Sequence, residues 1–89
     1  MDELDELQLS ARDGNSVQAM VNSKGWQDVI KPAFEQRMEC LVSELLNATQ
    51  YEQLIRIQQS INAIRALFDF VDNVLEIGKE AIKELRGNP

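Results

Sequence analysis

Residues 51–86 read YEQLIRIQQSINAIRALFDFVDNVLEIGKEAIKELR, and within them Leu54, Ile57, Ile61, Ile64, Phe68, Val71, Leu75, Gly78, Ile82 and Leu85 recur at alternating spacings of 3 and 4. That alternation holds one stripe of a helix against a partner over more than four heptads, the pattern of a coiled-coil seam. Gly78 is the one member of the stripe that is not a large apolar residue. A helix from Gln50 to Arg86 is about 55 Å long at ~1.5 Å per residue. Lys79, Lys83 and Arg86 complement the negative end of its dipole, and Gly87-Asn88-Pro89 are expected to stop it.

Immediately before this stretch, Thr49-Gln50-Tyr51-Glu52 has the S/T-x-x-E form of a capping box, and Asn47 tolerates the left-handed position that ends a helix. A connection this short reverses the chain. Upstream of it, Trp26, Val29, Ile30, Phe34, Met38, Leu41, Leu45 and Ala48 again fall at helical spacing, so the sequence predicts a partner helix of roughly 33 Å over residues 26–47. Pro32 interrupts that stripe without shifting its phase. Either the helix restarts with Pro32 in its first turn, or it continues through a kink or near-continuous break, which the unbroken stripe favours. Together these features predict an all-α fold: an antiparallel helical hairpin with short N-terminal helices and a long C-terminal helix.

The long helix carries a second apolar set from Leu67 onward: Leu67, Phe70, Val74, Ile77 and Ala81. A helix that covers one partner needs a stripe of about 100°, and this one is wider. The chain either breaks near residues 69–73 and folds back on itself, or uses the segment to meet other copies. Self-association is the favoured outcome, because a patch of this size is a liability on a monomer. The expected oligomer interface is Leu67, Phe68, Phe70, Val71, Val74, Leu75, Ile77 and Ile82.

Residues 1–14 contain five acids (Asp2, Glu3, Asp5, Glu6, Asp13) and one base, Arg12, so −4 of the net −6 lies there and −2 is spread over the other seventy-five residues. They are expected to form an acidic arm with a short helix ending near Gly14, either solvated or engaging a basic partner. Residues 15–89 are expected to be a single helical-hairpin domain. Its first element is a second short helix over 15–24, capped by Asn15 or Ser16 and stopped by Gly25 in a left-handed conformation.

An acidic chain has the wrong sign for general nucleic-acid binding. It has no histidine and one cysteine, Cys40, which removes Ser-His and Cys-His nucleophile pairs, an intramolecular disulfide and the usual zinc ligand sets. No enzyme activity, cofactor or metal is expected. The start Met1-Asp2-Glu3-Leu4-Asp5-Glu6 lacks the basic and then apolar character of a signal peptide, and no run approaches a membrane span, so neither secretion by its own signal nor a membrane partner is expected. Glu35 with Glu39, and Glu80 with Glu84, stand four apart as paired carboxylates would. Without histidine they read as solvated helix faces.

One constellation suits an anionic ligand: Trp26, Arg37, Tyr51, Arg56 and Arg65. Arg65 adjoins the seam at Ile64 and needs an anionic partner, either Glu44 or Glu39 of a facing helix or a nucleotide held between subunits. Trp26 reads as a core plug at the open end of the hairpin rather than a stacking platform.

With Gly25-Trp26-x-x-Val29-Ile30-x-Pro32 opening one helix and Gln58-x-x-Ile61-x-Ala63-Ile64-Arg65-x-Leu67 in the next, residues 25–77 resemble small helical proteins of tailed bacteriophages encoded among packaging, portal and head genes. The resemblance implies a viral origin, a role in particle assembly or in the contest with the host, and a place in the bacterial cytoplasm or the virion. It brings no catalytic residues. In architecture alone, the chain is also similar to phage anti-defence sponges, short helical oligomers that sequester cyclic nucleotides. The expectation is therefore a non-enzymatic, homo-oligomeric interaction or structural protein of phage type, a virion or assembly accessory. The alternative is a sponge for an anionic nucleotide.

Overall fold

A computed structural model describes residues 2–87 of the chain. Helix α1 spans Glu3–Val21, a π-helical segment Gly25–Ile30 leads directly into α2, Lys31–Asn47, and α3 spans Tyr51–Gly87. The fold is all-α, and α3 is continuous, so the break near residues 69–73 that stood as the alternative to self-association does not occur. The stop expected at Asn88 and Pro89 lies outside the described residues.

The two short N-terminal helices are one. Asp2 caps α1: it has extended backbone angles, and its Oδ1 accepts from the Asp5 amide at 2.9 Å. Glu3, Asp5 and Glu6 occupy the first turn, where the positive end of the dipole favours them. The helix then passes through Gly14, Asn15 and Ser16, so the expected boundary at Gly14 and the cap at Asn15 or Ser16 are replaced by helix interior. The actual exit is at Asn22 and Ser23, where the Asn22 amide donates to the Gln18 carbonyl and the Ser23 hydroxyl to the Met20 carbonyl. Gly25 and Asn47 do not take left-handed angles either, since no described residue has a positive φ.

Pro32 is accommodated by a change of helix type. The amide of Lys31 donates to the Trp26 carbonyl, five residues back, and both Ile30 and Lys31 keep right-handed helical angles. In an α-helix the proline ring would press on the carbonyl of Asp28. The wider π turn relieves that crowding just where Pro32 has no amide to contribute. The chain therefore passes Pro32 in continuous helix, with a π turn in place of the expected kink or near-continuous break. At the other end of α2, Ala48 turns extended (φ −74°, ψ 136°), and Asn47 donates its side-chain amide to the Ser43 carbonyl. Helix α3 begins one residue later than a Thr49 cap implies: Gln50 is the flanking residue, and its carbonyl accepts from the Leu54 amide.

The chain forms two compact units, Lys24–Phe68 and, separately, the residues up to Ser23 together with those from Asp69 on. In the first, Leu41 of α2 packs with Ile57, Ile61 and Ile64 of α3, surrounded by Phe34, Met38, Leu45, Ala48 and Phe68. The buried Trp26 meets Phe68 edge-on at 6.0 Å between centroids, and Phe34 meets the same ring at 6.3 Å, pairs worth about 0.5–1.5 kcal/mol each beyond their burial.

The second unit is built on a different contact. A Cβ placed on Gly14 would lie 2.8 Å from the Cα of Gly78, and one placed on Gly78 would lie 2.8 Å from the Cα of Gly14 and 3.2 Å from the Ser10 carbonyl oxygen. The backbones of α1 and α3 touch there with no side chain between them, and the residues buried with them are Ala11, Val71 and Ala81. Glycine costs a helix roughly 1 kcal/mol relative to alanine, and overpacking costs about 1–3 kcal/mol, so the clash outweighs the gained propensity at these sites. Gly78→Ala should destabilise by about 1 kcal/mol and Gly78→Leu by about 2–3 kcal/mol in urea unfolding. Gly25→Ala, which meets nothing within 4 Å and sits in right-handed helix, should be neutral or stabilise by about 0.4–1 kcal/mol.

Candidate functional site

The core around Leu41 and Ile57 also forms the floor of a cleft. On α2, Arg37 and Glu44 flank Leu41 at four residues before and three after. On α3, Gln53 and Ser60 flank Ile57 in the same way, Arg56 directly precedes it, and Gln50 closes one end. The cleft is open and encloses about 510 Å³. Helical spacing accounts for its chemistry: a buried apolar position on each helix carries polar side chains on the turns beside it.

Its charges are unevenly matched. Arg37 Nη1 lies 3.9 Å from Glu44 Oε1, two turns along the same helix, with both side chains about half exposed. Arg56 has no ion-pair partner among the described residues, and its carbonyl accepts from the Ser60 hydroxyl at 3.2 Å. The cleft therefore presents two guanidinium groups, one carboxylate, two primary amides and a hydroxyl over an apolar floor. That set suits an anion with hydrogen-bonding groups around it, and it supplies no nucleophile with an adjacent base.

Of the five residues expected to serve an anionic ligand, the structure brings Arg37 and Arg56 together. Trp26 is buried against Phe68, in the plug role anticipated for it. Tyr51 is 76% exposed on the first turn of α3 and does not line the cleft. Arg65 is also exposed, beside a separate recess formed with Val42, Leu45, Gln58, Ile61 and Asn62. It lies outside the seam because Ile61 and Ile64 take the inward positions. Glu44, considered as its partner, pairs with Arg37 instead. Gln50, Gln53 and Ser60 join the cleft without belonging to the expected set. Their signal was their flanking of Ile57, one seam position on the facing helix.

The residues assigned to an oligomer interface divide three ways. Phe68 belongs to the aromatic cluster, and Val71 is buried while Val74, Leu75 and Ile82 are half-buried within the single chain. Leu67, Phe70 and Ile77 are exposed, Phe70 to 65% and Ile77 to 56%. Glu35, Glu39, Glu80 and Glu84 are exposed, as solvated faces are. Among the described residues no group of three His, Cys, Asp or Glu side chains could hold a metal ion, and no helix is long and apolar enough to cross a membrane.

Because the Arg37–Glu44 pair is half exposed, its contribution to folding should be small. A double-mutant cycle with Arg37→Ala and Glu44→Ala should return a coupling of about 0.2–1 kcal/mol in urea unfolding, and raising the salt to 1 M should diminish it.

No protein-family model matches this chain, and neither curated proteins nor solved structures give a significant match to it.

Proposed function

We propose that this chain is a non-enzymatic, homo-oligomeric interaction protein of phage type, acting as a virion accessory or in particle assembly within the bacterial cytoplasm, with Lys24–Phe68 serving as an antiparallel helical hairpin. The observation that carries the reading is the pairing of a thin core with an apolar surface. The unit containing α1 buries nothing larger than Val71, yet leaves Phe70 and Ile77 in water on one flank of α3. Burying a side chain of that size is worth up to about 1.5–3 kcal/mol, which contributes to association through that flank. The phage attribution rests on the resemblance carried by residues 25–32 and 58–67. The acids of the first turn of α1 are exposed and available to a basic partner.

Light scattering coupled to size exclusion tests this reading. A mass that is a multiple of 10.1 kDa at micromolar concentration is expected, and Phe70→Asp with Ile77→Asp should return the protein to the monomer by placing unpaired charges in the interface. A wild-type mass of one chain overturns it.

The Arg37–Arg56 cleft favours a second reading, a sponge that binds an anionic nucleotide. Cyclic di- and oligonucleotides at ~100 times their Kd should then add about 2.7 kcal/mol of apparent stability in a thermal-shift assay, and Arg56→Ala should abolish the shift. No shift across such a panel removes this reading.

A further inference from the structure

The two units differ in how much they bury, and the difference bears on α1. We infer that α1 is a strap: it detaches from α3 while Lys24–Phe68 stays folded, and its closure keeps the inner face of the C-terminal half of α3 out of water. This does not rest on the oligomeric reading, which light scattering on the same sample decides separately.

Three observations carry it. The first is the core. Lys24–Phe68 buries Trp26, Leu41, Ile57, Ile61 and Ile64, whereas α1 buries only Ala11 and Gly14, and the C-terminal half of α3 adds Val71, Gly78 and Ala81. The larger apolar side chains of α1 are half-buried at Leu7, Val17 and Val21 and exposed at Leu4, Leu9 and Met20. The free energy of a local opening follows the apolar surface that opening uncovers, so the segment that buries least opens first. The second is the attachment. At the Gly14–Gly78 crossing backbone meets backbone, with no side chain to interlock. Among the described residues no ion pair joins α1 to α3: Arg37–Glu44 and Lys83–Glu80 each lie within one helix. The third is where the helices are free to part. Helix α1 ends at Val21, and Asn22 and Ser23 are the non-helical residues before the chain turns helical again, so a few backbone rotations there release it. On the other side, Trp26 and Phe34 hold the ring of Phe68, and Asp69 and Phe70 after it are exposed. Helix α3 is continuous through this point, yet its protection from solvent exchange divides there. Once released, a lone helix as short as α1 is marginal in water, so its amides exchange in the open state.

Hydrogen exchange of the full chain, read by mass spectrometry, tests the strap. Residues 3–21 and 69–87 are expected to be protected about tenfold less, or weaker still, than residues 54–68. Gly78→Ala sets a methyl group against the α1 backbone, and should speed exchange of residues 3–21 about fivefold while residues 54–68 keep their rate. Ile61→Val should do the reverse, speeding residues 54–68 several-fold and leaving residues 3–21 as they were. If either substitution speeds both segments equally, α1 opens only when the whole chain unfolds and the strap does not exist. Wild-type protection of residues 3–21 equal to that of residues 54–68 overturns it as well.

Discussion

The contact between Gly14 and Gly78 governs how the N-terminal helix and the C-terminal half of α3 present themselves. With hydrogen in place of a side chain at both positions, the two backbones approach to van der Waals distance. Close approach shortens the reach across the interface, so the positions nearest the crossing hold Ala11, Val71 and Ala81, and nothing of the size of leucine is buried there. Leu75 and Ile82 are half-buried beside it, while Phe70 and Ile77 lie on the flank of α3 and stay exposed.

The other unit uses the opposite solution on the same helix. Up to Phe68, α3 presents isoleucines, and α2 answers with Phe34, Met38, Leu41 and Leu45, so large side chains interdigitate and Leu41 reaches 2% exposure. That packing sets up the Arg37–Arg56 cleft, because rigid apolar positions fix the polar side chains one turn away. One continuous helix thus carries two kinds of interface, one filled by side chains and one made by their absence.

What the sequence disclosed follows the same division. The 3 and 4 spacing of residues 54–85 gave the long helix and the inward face of its first half, since large apolar residues at regular intervals have few other uses. Gly14 misled, because a glycine after a short amphipathic run reads as a helix end, and the alternative needs a facing glycine that lies 64 positions later. Gly78 was visible as the odd member of the seam, yet oddness alone does not name a partner. Asp2 belongs to a charge run and is at the same time the cap of α1, two residues ahead of Leu4. The π turn before Pro32 was hidden as well: spacing showed that the helix had to continue, but not how it would spare the Asp28 carbonyl.

The width of the apolar surface on α3 gains a sharper meaning from this. Five residues, Leu67, Phe70, Val74, Ile77 and Ala81, formed the second stripe. Ala81 is buried within the chain and Val74 is half-buried, so the chain itself accounts for the part of the stripe that is small. The remainder is the bulky part. In this unit the buried side chains are alanine and valine, Leu75 and Ile82 are half-buried, and Phe70 and Ile77 are left outside. The excess apolar surface is thus a narrow flank of large side chains, Leu67, Phe70 and Ile77.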